Sequence, residues 1–150
     1  MKAHFRTGFD SALAPERVVA TLIDFSAQRS QIWPSLDPAK YHVHEVGDTW
    51  AVVTEGNRRP NIWAREHYDW SVPGRVSWQA EESNFCTPGS GVDVVVTPRP
   101  ADGSHVELYW HRTSTTPTGA MIVVMMAIVG KRQLAASFKG VFDRVALSRE

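Results

Sequence analysis

The feature that most constrains this chain is a change of hydrophobic period. Between Tyr41 and Thr113 apolar side chains tend to recur at every second residue, and turn residues break the stretch into three pairs of segments. "YHVHEVGDTWAVVTEGN" divides at Gly47-Asp48, "NIWAREHYDW" and "RVSWQAEES" flank "SVPG", and "GVDVVVTP" and "HVELYWHRT" flank "RPADGS". Each pair reads as two strands and a turn: period two puts alternate side chains on opposite sheet faces, and Gly, Pro, Asp and Asn favour turn backbone. Six strands in direct succession exclude an alternating α/β layout and predict an antiparallel sheet.

On both sides of this stretch the pattern is different. "AHFRTGFDSAL" reads as an opening strand and runs into "APERVVATLIDF". There Pro15 suits a first helical turn, and Val18, Val19, Leu22, Ile23 and Phe25 recur at helical spacing. "SAQRSQIWP" reads as a second short helix with Ser26 as N-cap and Pro34 as its stop. From about Thr118 to Ser148, Leu134, Phe138, Val141, Phe142 and Val145 form a helical stripe with Lys131, Arg132, Lys139 and Arg144 largely off it. The predicted architecture is an α+β fold of order β-α-α-β6-α, one domain over residues 1–150, with the terminal helix covering one face of a seven-stranded antiparallel sheet.

Composition narrows the partners. Sixteen basic residues balance sixteen acidic ones, so no basic field draws in nucleic acid. The apolar run Ala120 to Val129 is about half the roughly 20 residues a membrane span needs and is broken by Gly130, Lys131 and Arg132. "MKAHFRTGFDSALAPER" lacks the apolar core of a signal peptide. No integral membrane association and a cytoplasmic location are therefore expected, in keeping with one unpaired Cys86. His42 and His44 share a strand face, but no third ligand pattern accompanies them, so no metal is expected. No phosphate loop, dinucleotide fingerprint or nucleophile elbow is present, Cys86 has no evident base, and no cofactor is expected.

The most informative polar group is "IWAREHYDW". One strand face carries Trp63, Arg65, His67 and Asp69, and the other Ala64, Glu66, Tyr68 and Trp70. A hairpin pairing Ser71 with Val76 sets Asp69 against Trp78, His67 against Ala80 and Arg65 against Glu82. Arg65 and His67 would then share a face with Val76, Trp78 and Ala80, where they could anchor a carboxylate, phenol or enolate oxygen while the rings hold an apolar body. If the register differs by one residue, Glu66 and Tyr68 look inward instead. Arg65 and Glu82 would then read as an ordinary ion pair on a solvated face. In the last strand Val106, Leu108, Trp110 and Arg112 form the more pocket-like set.

Three segments give the chain a family likeness: "APERVVATLIDFSAQRSQIWP" after the opening strand, "REHYDWSVPGRVSW" in the middle, and "DGSHVELYW" followed by "VGKRQLAASFKGVFDRVA". They resemble the START-like superfamily, also called SRPBCC, which includes polyketide cyclase/dehydratase-like proteins. The resemblance implies a helix-grip fold, in which a curved sheet wraps the long helix and leaves a hydrophobic cavity, and it implies no particular reaction. The expected lining is Trp63, Trp78, Leu108, Trp110, Val123, Met126 and Ala127. The expected function is binding of a hydrophobic, aromatic or polyketide-like small molecule, as a carrier or sequestering protein. The alternative that the resemblance implies is an aromatase/cyclase or dehydratase-type enzyme using the same cavity, with Arg65 stabilising an enolate-like oxygen and His67, or Tyr68 if the strand parity is reversed, moving a proton. Met121, Met125 and Ile128 fall on the helix side away from the sheet, where the loops flanking the short helices, incoming ligand or a second subunit in a homodimer would cover them.

Overall fold

In the computed structural model, which describes residues 1–148, the chain opens with β1 (Lys2–Ser11), α1 (Pro15–Leu22) and the single-turn α2 (Arg29–Ile32). One further turn of 3-10 helix (Pro38–Lys40) leads into β2 (His42–Val46), β3 (Trp50–Asn57), β4 (Ile62–Asp69), β5 (Arg75–Ser83), β6 (Gly91–Pro98) and β7 (Ser104–Thr113). The chain then enters α3 (Pro117–Leu147). The strands form one antiparallel sheet in the order β1-β7-β6-β5-β4-β3-β2, so the first strand lies beside the last. That places the start of α3 close to β1, and Gly130 lets the two approach: a Cβ there would lie 3.0 Å from the Phe5 ring. The fold class is the one read from the sequence, α+β with a seven-stranded sheet and a long terminal helix.

Three details differ from the sequence reading. First, α1 ends at Leu22 rather than near Phe25. Second, α2 is one turn starting at Arg29, because the Ser26 hydroxyl accepts from the Gln28 backbone N–H in a local turn before the helix. Third, the β4–β5 register is one residue shorter than the Ser71–Val76 pairing predicts. Asp69 faces Ser77, Tyr68 faces Trp78 and His67 faces Gln79. Glu81 is then the extra residue of a bulge, which restores Arg65 opposite Glu82. A one-residue shift exchanges the two faces, so Ala64, Glu66 and Tyr68 are the buried set of β4.

The core forms on the sheet face that meets α3. Val53, Val76, Val94, Val106 and Leu108 pack there with Val18 and Leu22 of α1 and Val123, Phe138, Val141 and Phe142 of α3. Side chains of this size each contribute about 1.5–3 kcal/mol when fully buried. The N-terminus of α3 is capped by Thr116, whose side chain accepts from the Gly119 N–H at 2.9 Å, and Pro117 sits in the first turn.

The helix runs straight through Gly130, Lys131 and Arg132 for 31 residues. By length and composition α3 could cross a membrane, and its most apolar window has mean hydropathy 1.5 with 17% of it buried. The sequence reading took those three residues as the end of the apolar run, but helix continuity is a backbone property that two cations do not interrupt. The C-terminal half is anchored in the core through Phe138, Val141 and Phe142, whereas Met121, Met125 and Ile128 in the first half are exposed.

Candidate functional site

Between the sheet, α2 and the first half of α3 lies a cavity of about 280 Å³. Its aromatic wall comes from Trp33 after α2, Trp63 of β4, Trp78 of β5, Phe85 in the β5–β6 connection, Trp110 of β7 and Phe138 of α3. The rings are held against one another rather than loosely placed. Trp78 stacks on Tyr68 (centroids 5.1 Å apart, 24° between planes), Trp110 on Phe5 (5.0 Å, 16°), and Trp33 meets Phe138 edge-on at 4.9 Å. Ile122 and Met126 of α3 close the opposite side.

Two buried polar assemblies interrupt this apolar lining. In the first, Arg29 joins α2 to the sheet: its Nε donates to Glu55 Oε2 at 2.8 Å and its Nη2 to the Tyr68 hydroxyl at 3.2 Å. Its Nη1 donates to the carbonyls of Leu22 and Asp24 at 3.0 and 2.8 Å, tying down the end of α1. The Tyr68 hydroxyl in turn donates to Glu55 Oε1. Burial works against the charge on Arg29, but the adjoining Glu55 carboxylate outweighs it and raises the guanidinium pKa. Burial, aided by Glu55, pushes the Tyr68 phenol well above its ordinary value, so this hydroxyl keeps its proton.

The second assembly is Glu66 and Arg112, which face each other across the sheet's inner surface. Arg112 Nη2 donates to Glu66 Oε1 at 2.9 Å and Nη1 to the Ser90 carbonyl at 3.1 Å, with Cys86 Sγ 3.7 Å from Nη1. Both residues are buried. Burial raises the Glu66 carboxyl above its usual range against the pull of Arg112, while Arg112 stays charged because Glu66 outweighs its own desolvation. Glu66 Oε2 and Arg112 Nε, both buried, have no hydrogen-bond partner among the described residues.

The sequence-derived candidates fall into three groups. Trp63, Trp78, Trp110, Met126 and Tyr68 all line the cavity. Trp63 does so where alternation along β4 lapses, Ile62 and Trp63 being both half-buried and both on the cavity. Leu108 and Val123 are fully buried in the core and do not line it.

Arg65, His67 and Ala127 lie away from the cavity. Arg65 pairs with Glu81 and Glu82 on the outer face of the sheet, and His67 stacks on Trp50 at 5.8 Å, both consequences of the shifted register. Ala127 is exposed because the face turned to the sheet passes from Val123 through Met126 to Gly130, one position to the side of it. Sequence reasoning did not single out Arg29 and Glu55. For Glu55 a signal existed, since it continues the alternation of the buried Ala51 and Val53 along β3. For Arg29 there was none, because a cation in a short polar helix looks like any surface arginine. Among the described residues, no group of three His, Cys, Asp or Glu side chains is placed to hold a metal.

With this geometry in view, comparison with solved structures shows the fold. A protein from Thermus thermophilus superimposes with TM-score 0.79 at 16% identity, covering 99% of this chain and 100% of its own. A START superfamily protein from Mycobacterium smegmatis gives 0.75 at 11% identity, with 95% and 98% covered. The Zhui aromatase/cyclase from Streptomyces sp. R1128 gives 0.73 at 14% identity, with 93% of each chain covered. The chain therefore has the START-like, SRPBCC helix-grip fold. No family model and no curated protein matches its sequence.

Proposed function

We propose that this protein binds a hydrophobic, aromatic or polyketide-like small molecule in the cavity between the sheet and α3, as a carrier or sequestering protein of the cytoplasm. The observation that carries this reading is the cavity itself: about 280 Å³, near the lower end of the roughly 300–1,000 Å³ typical of ligand pockets, walled by four of the six tryptophans. Flat rings preorganised by stacking favour a flat apolar ligand, and the few buried polar groups give it one orientation. The size favours a compact molecule.

The test is native mass spectrometry of protein purified from its own or a related host, followed by denaturing extraction and calorimetric titration of what is released. Met126→Trp places a bulkier ring where α3 closes the cavity. It should weaken binding by about tenfold or more, roughly 1.4 kcal/mol, while the protein still melts cooperatively. A mass without ligand, together with no binding to a panel of aromatic and acyl compounds, would remove this reading.

A second reading, an aromatase/cyclase or dehydratase-type enzyme, has the buried carboxyl of Glu66 and phenol of Tyr68 in its favour. Cyclisation of a flexible poly-ketone needs a proton taken from a carbon beside one carbonyl and another delivered to the carbonyl oxygen attacked. Cavity shape would supply the folding of the chain. Turnover lost in Tyr68→Phe with binding retained would favour this reading over the carrier. The exposed Met121, Met125 and Ile128 recur at intervals of four and three residues, the spacing of a helix–helix seam, and a second copy of α3 is the partner proposed for them. Sedimentation at increasing concentration tests this, and a strict monomer rejects it.

A further inference from the structure

The first half of α3 is apolar and yet largely uncovered. Between Ala127 and Gln133 only Gly130 is buried, so this stretch of helix stands in solvent on every side but one. Met121, Met125 and Ile128 are 64, 60 and 76% exposed, and Val129 is exposed beside them. Intervals of four and three residues put the first three in one row, and a further interval of four adds Arg132 to it, with Lys131 alongside. The row is therefore apolar near the start of the helix and cationic near its middle. No acidic residue occurs between Glu107 and Asp143. Lys139 is paired with Asp143 at 2.8 Å, whereas Lys131 and Arg132 have no ion-pair partner among the described residues. The turn leading into the helix, Ser114 to Thr118, carries no charge.

A contiguous exposed apolar patch marks a contact site, and the charge beside it selects the partner. A second copy of α3 covers the apolar row in water but offers Lys131 and Arg132 no acid. A bilayer with anionic headgroups answers both parts of the row. Its acyl chains take up Met121, Met125 and Ile128, and its phosphates lie at the depth to which lysine and arginine side chains reach back. The helix cannot thread through such a bilayer, because Phe138, Val141 and Phe142 lock its C-terminal half into the core. We infer that the outward face of the first half of α3 is a reversible contact with an anionic lipid surface, with Met121, Met125 and Ile128 entering the interface and Lys131 and Arg132 meeting lipid phosphates. The contact adjoins the cavity, since Ile122 and Met126, each one position along from a residue of the row, line it. On the reading of the cavity as a ligand site, on which this last step rests, an apolar ligand would be taken up from the acyl phase or returned to it along this side.

The assay is co-sedimentation of the intact protein with vesicles of phosphatidylcholine alone and of phosphatidylcholine mixed with phosphatidylglycerol, at low and at raised salt. The mixed vesicles should bind the protein about tenfold or more tightly than the neutral ones, because each cation near an anionic surface is worth about fivefold. Raised salt should narrow that difference. The double variant Lys131→Glu, Arg132→Glu should abolish the preference for phosphatidylglycerol. The triple variant Met121→Ser, Met125→Ser, Ile128→Ser should lose binding to both vesicle types. Protein that stays in the supernatant with both overturns the inference and leaves the row to the second copy. Equal binding to the two compositions by the wild-type protein overturns it too, as does a lipid preference that survives the double variant or binding that survives the triple one. All five positions are exposed, so both variants should melt as the wild-type protein does; if the triple variant does not, the lipid preference of the wild-type protein and its loss in the double variant decide. Vesicle binding with these properties by a protein that takes up no small molecule supports the contact and removes the cavity reading.

Discussion

Arg29 is the side chain whose removal reports most directly on how the cavity is built. It is 4% exposed and makes four hydrogen bonds: to Glu55, to Tyr68 and to the carbonyls of Leu22 and Asp24. Its guanidinium carbon also lies 4.6 Å from the Phe25 ring centroid. Arg29→Met keeps the length and removes the charge, leaving the Glu55 carboxylate, itself 19% exposed, without its cation.

Breaking a buried pair by deleting one partner costs about 3–5 kcal/mol, and the partial exposure of Glu55 favours the lower end, about 3 kcal/mol. For a domain of this size that is a fall of about 6–12 °C in melting temperature. Calorimetry should show it, with urea titration as the independent measure. The double variant Arg29→Met, Glu55→Leu removes the stranded carboxylate as well and should recover at least about 1 kcal/mol of the loss. A shift below about 2 °C for the single variant, or a double variant weaker than the sum of the two singles, would refute the reasoning. Either would mean that the assembly is solvated in practice and contributes as little as a surface ion pair.

Two further predictions concern the frame around the site. At Gly130, alanine should be close to neutral, since the roughly 1 kcal/mol of helix propensity it gains offsets a Cβ 3.0 Å from the Phe5 ring; leucine, pressing on Phe5 and Met126, should cost about 1–3 kcal/mol by denaturant titration. On the outer surface, the His105 ring contacts Asp10 at 2.8 Å and Glu107 at 2.6 Å, and these hydrogen bonds raise its pKa above the ordinary 6.5. Protonation is thus favoured by folding, so the stabilisation is complete at pH below the unfolded value and is lost as pH rises through the folded one. His105→Gln should therefore melt below the wild-type protein at pH 5.5 and together with it at pH 9; a gap that stays constant with pH would reject the ion pair as its source. His105 is exposed enough that the gap should be small.

What the sequence determined by itself was the fold class. The change of hydrophobic period, the turn residues between strand pairs and the helical stripe ending in Phe138, Val141 and Phe142 are local signals, and each element they predict is present within a few residues. The six tryptophans were visible without coordinates, but not whether their rings fill the core or wall a cavity.

The tertiary structure alone decided which polar residues reach that wall. A register one residue shorter and a bulge at Glu81 send Arg65 and His67 outward and Glu66 and Tyr68 inward, a choice the strand's own alternation leaves open. Arg29 and Glu55, 26 positions apart, become partners only when α2 folds against β3, and Glu66 meets Arg112 across 46. Periodicity reports which side chains share a face of one element. Which faces meet, and which charges are buried together, depends on contacts between distant segments that no local pattern encodes.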